Sequence, residues 1–254
     1  MTNATTPAPT AAILVIGDEI LSGRTQDANT AYIAQWLGKI GIRTAEARVV
    51  SDSIETIGEA LNALRARYTY VFTTGGIGPT HDDITADAVA HAFGLSIGPN
   101  AEAVAILTAH YKPGDFNEAR QRMARTPEGA ILIENPISKA PGFQVGNVFV
   151  MAGIPRVMQA MLESLRPRLT GGPPLLSQTI SVFAAEGTIA DTLTAVQGQF
   201  PDVPLGSYPF YRNDRFGTSL VGRSADPARL AAAIDHLKGE LRLLGITLQD
   251  GEMR

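Results

Sequence analysis

The sequence contains no cysteine. A disulfide framework, a thiolate metal site and a cysteine nucleophile are thereby excluded. Histidine is scarce as well: His81, His91, His110 and His236 are the only four, and none pair at metal-ligand spacing, which argues against a zinc site. Positive charge is not in excess either. A net charge of −4 lacks the electrostatic footprint of a protein that lives on nucleic acid. No apolar run approaches the ~20 residues of a membrane span. The first ten residues, MTNATTPAPT, carry neither a basic stretch nor an apolar core, so 1–10 reads as a loose tail and not as a targeting signal. A cytoplasmic protein with no membrane or nucleic-acid partner is the expectation.

The 254 residues, 44% hydrophobic and 18% charged, have the balance of a globular chain with one large domain or two modest ones. The first half alternates apolar runs with helical periodicity. Ala11–Ile16, Ala47–Val50 and Tyr70–Thr74 read as strands. Between and after them, Ile33, Trp36, Leu37 and Ile40, then Ile54, Ile57, Leu61 and Leu64, then Ala86, Val89, Ala90 and Phe93 mark helix faces. Continuous apolar strands separated by helices predict an α/β fold with a doubly wound, mostly parallel sheet. Residues 100–128 read as helix-rich and polar. Ala130–Ile133 and Val148–Met151 add strands joined by a Pro- and Gly-containing loop, and Pro155 opens a further helix. LTGGPP at 169–174 is the linker, dividing an α/β domain at 11–170 from a smaller α+β unit at 175–250 of βαββα order. The smaller unit is read as strand 178–183, helix 188–200, strands 203–208 and 216–221, and helix 227–244.

In an open parallel sheet, ligands bind beyond the carboxyl ends of the strands. The first strand is followed by Gly17, Asp18 and Glu19, with Asp27 and Asn29 nearby, and the second by Asp52. The third runs into Thr73–Asp83, TTGGIGPTHDD, with Gly75, Gly76 and Gly78 within four positions. Glycines there let backbone N–H groups approach a phosphate. The block is neither a Walker A loop nor GxGxxG, since His81 stands where the third glycine would fall. On the residues alone, the glycines serve a ligand-free tight turn equally well. Asp52, Asp82 and Asp83 serve equally as helix caps. Five acids at one sheet edge, facing a phosphorylated ligand, call for a divalent cation, and Mg²⁺ suits such a setting.

Gly17–Gly23 with Asn29, the Thr73–Asp83 block with Thr85, and Ala140-Pro141-Gly142-Phe143 together resemble the molybdopterin-binding-like domain of the competence/damage-inducible CinA family. GGIGPTHDDIT is also similar to the N-terminal domain of eukaryotic-type FAD synthetases. The likeness runs collinearly over 11–167, and 175–245, with Gly206-Ser207-Tyr208-Pro209, resembles the small domain that accompanies it in CinA proteins. The amidohydrolase domain of longer CinA proteins is not in this sequence, so nicotinamide mononucleotide deamidation is not implied.

The resemblance implies two functions. One is hydrolysis of a nucleotide pyrophosphate of the ADP-ribose or FAD class, with Mg²⁺ (or Mn²⁺ or Co²⁺) held by Asp18, Glu19, Asp52 and Asp83 polarising the diphosphate. The other is binding of a molybdopterin or nucleotide without turnover, as in molybdenum-cofactor biosynthesis proteins. The implied anion turn falls on Gly75, Gly76 and Gly78, with Thr80 and Asp82 in the same block and Asn29 in the first. Lys139 and Arg156 are candidates for neutralising a leaving phosphate, His81 for proton transfer, and Tyr208 and Arg212 for a contribution from the second domain. One departure stands out: Val157 occupies the position where CinA-like proteins carry an acid, which also admits a member without activity. Self-association is implied by the resemblance alone.

Overall fold

Six consecutive apolar residues, Ala11 to Ile16, are the axis of the first unit, and all six are buried. In the computed structural model of the protein, the described residues are 8–212 and 214–251. Of the expected tail, residues 1–7 lie outside them, and Thr10 already begins the first strand.

The first unit runs β1 (Thr10–Ile16), α1 (Asp18–Leu21), α2 (Asn29–Lys39), β2 (Arg43–Val50), α3 (Ile54–Arg67), β3 (Tyr70–Thr74) and α4 (Thr85–Phe93). It continues through β4 (Ile97–Pro99), α5 (Ala101–His110), α6 (Glu118–Gln121), β5 (Arg125–Pro127), β6 (Ile131–Ile133), β7 (Gly142–Val145), β8 (Val148–Met151) and α7 (Pro155–Ser164). Strands β2-β1-β3-β8-β7-β6 lie side by side in one sheet. The first four are parallel; β7 runs antiparallel to β8, and β6, antiparallel to β7, closes that edge.

Because side chains alternate across a strand, β1 feeds two cores. Ala11, Ile13 and Val15 pack with Ile33, Trp36 and Leu37 of α2 and Met158, Met161 and Leu162 of α7. Ala12, Leu14 and Ile16 pack on the other face with Ile57, Leu61 and Leu64 of α3 and Ala88 and Val89 of α4. Phe72 and Phe149 stack at 5.2 Å within the first of these layers, and Trp36 Nε1 donates to Glu163 across it at 2.7 Å. The sheet is doubly wound as expected.

The chain leaves β1 toward β2 on one side and returns to β3 on the other. The topological switch point therefore falls between the carboxyl ends of β1 and β3, where such sheets open a crevice.

Several elements differ from the expectation: α1 lies in residues read as a turn, β4 and β5 pair with each other where no strand was read, and three further differences concern the two larger sheets. β7 occupies residues read as loop, because its four residues are too short to show a period. Gly142 is required there, since a Cβ would lie 2.2 Å from Val150 O. β2 begins at Arg43 and not at Ala47; as the outermost strand it alternates exposed and half-buried residues and lacks a continuous apolar run. The third is in the second unit, which starts at Pro173. It contains β9 (Leu176–Val182), α8 (Glu186–Gln199), β10 (Leu205–Arg212), β11 (Arg215–Ser224), α9 (Pro227–Leu243) and an unanticipated short β12 (Leu248–Asp250). Its antiparallel sheet, β10-β11-β9-β12, packs Ile180, Val182 and Leu220 against Ile189 and Val196 of α8 and Ile234, Leu237 and Leu241 of α9.

Leu14 sits fully buried at the centre of β1. Leu14→Ala leaves a cavity between α3 and the sheet and should lower stability by about 2–5 kcal/mol, read by denaturant titration.

Candidate ligand-binding cleft

Beyond the carboxyl ends of β1, β3 and β8 lies a cleft of about 610 Å³. Ligand pockets run from about 300 to 1,000 Å³. Glu19 reaches it from the β1 side, Gly75–Pro79 and Asp83 from the turn after β3, and Ala152–Pro155 with Val157 from the start of α7.

The turn after β3 is built by crowding. Gly75 (φ 107°) approaches β1 so closely that a Cβ would stand 2.1 Å from Ile16 O, and at Gly76 (φ 65°) a Cβ would stand 2.2 Å from Thr85 Oγ1. Thr85 is buried; its hydroxyl donates to Gly75 O at 2.9 Å and its amide to Gly76 O at 3.0 Å, closing the turn onto α4. Gly78 lies under the Asp83 carboxylate, 2.6 Å from where a Cβ would be.

The three glycines are not equivalent as donors. Gly75 N–H is committed to Met151 O at 3.2 Å, prolonging the β3–β8 ladder. The N–H groups of Gly76, Ile77 and Gly78 have no acceptor among the described residues. These three are the amides free to hold an anion. The start of α7 adds to them: Pro155 opens the helix, no side chain caps it and no acid lies in its first turn, so its positive dipole end is uncompensated.

Asn29, buried at the start of α2, donates from Nδ2 to Gly153 O at 2.7 Å and fixes the turn after β8, while its Oδ1 has no partner among the described residues. Asp27 in turn accepts from the amides of Asn29 and Thr30 at 2.8 and 3.3 Å.

The acids divide. Glu19 and Asp83 line the cleft; Asp18 and Asp52 do not. Asp52 Oδ2 accepts the amide of Asp18 at 2.9 Å and so holds the start of α1. Asp83 Oδ2 accepts both the amide and the hydroxyl of Thr80, at 2.8 and 2.6 Å. Burial pushes the Asp52 carboxyl above the usual carboxylate range, the Asp18 N–H opposes that shift, and repulsion from Asp18, Glu19 and Asp82 adds to it.

Among the described residues, no three Asp, Glu or His side chains come together to hold a metal ion. With Asp52 and Asp83 each tied to a backbone amide, Asp18, Glu19, Asp52 and Asp83 do not fit a resident metal.

Of the other expected residues in the first unit, Lys139 and His81 fall outside the cleft lining. Lys139, at φ 61°, is exposed and lines a separate hollow with Glu102, Glu134 and Arg168. Arg156 is exposed beside the cleft-lining Pro155. His81 stands in solvent with Nδ1 4.0 Å from exposed Asp82. Val157 is buried in the α2–α7 core with one side toward the cleft. Tyr208 and Arg212 lie on β10 of the second unit. Conversely, the cleft draws Tyr111, Arg120 and Met123 from the segment read as merely polar and helical, and Asn135 and Ser138 from the loop before β7. Only Asn135-Pro136, a turn-forming pair, carried any local signal.

Two predictions follow from this geometry. Gly76→Ala combines a left-handed backbone with a clash on Thr85 and should lose more stability in thermal unfolding than Gly94→Ala. Gly94 shares the conformation at φ 64° but has open space around it, leaving only about 1 kcal/mol of backbone strain. At Asp52, the raised folded-state pKa means that stability falls as pH rises through it. Asp52→Asn keeps an oxygen for Asp18 N–H while removing the charge, so its melting temperature should exceed that of the wild type at pH 7, the gap closing below about pH 4.

Known families match both units of the chain. The family described as a probable molybdopterin binding domain matches residues 12–171, and the FAD synthase middle domain matches 174–249. A CinA-like protein of Citrifermentans bemidjiense is 40% identical over 201 residues, covering 75% of this chain and 48% of that protein. A probable FAD synthase of Caenorhabditis elegans is 29% identical over 255 residues, covering 90% of this chain and 49% of its own length. The chain thus spans about half the length of these two relatives. The crystal structure of CinA from Thermoplasma acidophilum, a protein of unknown function, superposes with a TM-score of 0.61 at 32% identity, over 64% of this chain and 99% of that one. The chain belongs to the CinA-like family of molybdopterin-binding-like domains, with an FAD synthase-type middle domain as its second unit.

Proposed function

We propose that the cleft binds a phosphate-bearing nucleotide or pterin, with its phosphates on the amides of Gly76, Ile77 and Gly78. The observation that carries this reading is that those three consecutive N–H groups lack acceptors at the switch point of the sheet, on the wall of a cleft large enough for a nucleotide. Anions settle on such amide groups and on uncapped helix starts, and here the start of α7 shares the cleft. Molybdopterin is one ligand of this chemistry; ADP-ribose and FAD are others.

Hydrolysis of a nucleotide pyrophosphate is the second reading, favoured by Glu19. Its carboxylate lies on the cleft wall, folded over Gly17, and its helix is held by Asp52. In this reading water attacks one phosphorus, the bridging oxygen leaves with the other phosphate, and Glu19 takes the proton from water. ADP-ribose then gives AMP and ribose 5-phosphate; FAD gives AMP and FMN. Mg²⁺, Mn²⁺ or Co²⁺ enters only as a companion of the ligand's diphosphate.

The test is twofold. Calorimetric titration with inorganic pyrophosphate should show binding that Gly78→Ala weakens at least tenfold, since a Cβ there displaces Asp83 over the turn. Incubation of ADP-ribose or FAD with each of the three cations should release AMP, and Glu19→Gln should reduce the rate by about 100-fold or more. AMP release at the same rate from Glu19→Gln, or none with any cation, removes the hydrolytic reading. Absence of pyrophosphate binding removes the first.

A further inference from the structure

The phosphate reading leaves part of the cleft without a task. The part left over includes Tyr111 and Arg120, from a segment with its own small core of Ala103, Leu107 and Ala124. The Tyr111 ring lies parallel to Phe116, with centroids 6.0 Å apart and 6° between planes. The Arg120 guanidinium carbon lies 4.5 Å from the centre of the Tyr111 ring. His110 packs edge-on against the same ring at 5.1 Å, and Arg120 donates to Asp115 O, which fixes its stem. Both cleft-facing groups are half-buried and held on several sides.

Two further features give this part of the lining a chemical character. Among the described residues, Arg120 is the one cationic side chain on the cleft wall, where the other charged residues are Glu19 and Asp83. Its guanidinium lies over the Tyr111 ring and donates to Asp115 O. Apolar Ile77, Met123 and Ile154 share the wall, and Ile154 is 66% exposed. A stacked tyrosine and guanidinium beside an uncovered apolar rim suits a flat, π-rich partner.

We propose that the Arg120 guanidinium, backed by the Tyr111 ring, is the platform on which the ligand's heterocycle stacks. The ligand then has its diphosphate at Gly76–Gly78 and its planar base, flavin or pterin on Arg120. This inference rests on the phosphate reading above. It makes Arg120 a specificity-determining residue: it selects ligands carrying a ring over those carrying phosphate alone.

The experiment compares two probes on the full chain, ADP-ribose and inorganic pyrophosphate, by calorimetric titration. Tyr111→Ala and Arg120→Ala should each weaken ADP-ribose by about tenfold or more while leaving pyrophosphate within twofold, and Tyr111→Phe should restore most of the ADP-ribose affinity. Arg120→Ala leaves the Tyr111–Phe116 packing in place, so it reports on the platform even where Tyr111→Ala loses its fold. Equal losses for both probes, or no loss for either, overturn the platform while the phosphate site stands. Failure of the wild-type chain to bind pyrophosphate overturns the phosphate site and the platform with it.

Discussion

The cleft exists because three strand ends meet closer than side chains allow. Gly75 is pressed on Ile16 O, Gly153 would place a Cβ 3.3 Å from Gly75 Cα, and Gly142 is pressed on Val150 O. Each contact is backbone against backbone or nearly so. Side chains are thereby kept from the floor of the crevice, and amides are what remain to face a ligand. Thr85 and Asn29 then lock the two turns with hydrogen bonds to Gly75 O and Gly153 O. Sterics determine the shape, and hydrogen bonds hold it.

The electrostatics pull in two directions. Three unpaired amides and an uncapped helix start favour an anion, while Glu19 and Asp83 on the same wall oppose one. Much of that opposition is absorbed locally. Asp83 is neutralised in part by two donors from Thr80, and Asp52 by the amide of Asp18. Val157 has a similar effect at the mouth of α7, where an apolar side chain continues the core and adds no further negative charge. The site is arranged to tolerate its acids, and a built-in cation is not needed to explain the fold around them.

Much of this was legible in the sequence, and the limits of legibility have physical causes. β1 and β3 announce themselves because both faces of each are buried, giving unbroken apolar runs. β2 at the sheet edge shows only its second half, and β7, four residues long, shows nothing periodic. The glycine block was readable as a turn, but which of its amides is free was not: Gly75 loses its donor to Met151, a partner 76 positions away. The same holds for the acids. Spacing places Asp18, Glu19, Asp52 and Asp83 at one sheet edge, whereas only tertiary contacts decide that two face the cleft and two do not. Tyr111 and Arg120 gave no signal because a ring and a guanidinium nine residues apart across a loop have no fixed period to betray them.

The bond from Asn29 to Gly153 spans 124 residues, and β8, which carries the turn it fixes, enters the sheet beside β3. During synthesis the chain emerges from its N-terminus onward, and domains begin to fold as they appear. β1, β2 and β3 can pair while the remainder is still being made, yet Asn29 must wait with its amide unanswered until residue 153 arrives. The crevice is consequently finished only once β8 and the turn after it have joined the sheet. A nascent chain halted before the eighth strand would have β2, β1 and β3 side by side and would lack the wall that the turn after β8 supplies.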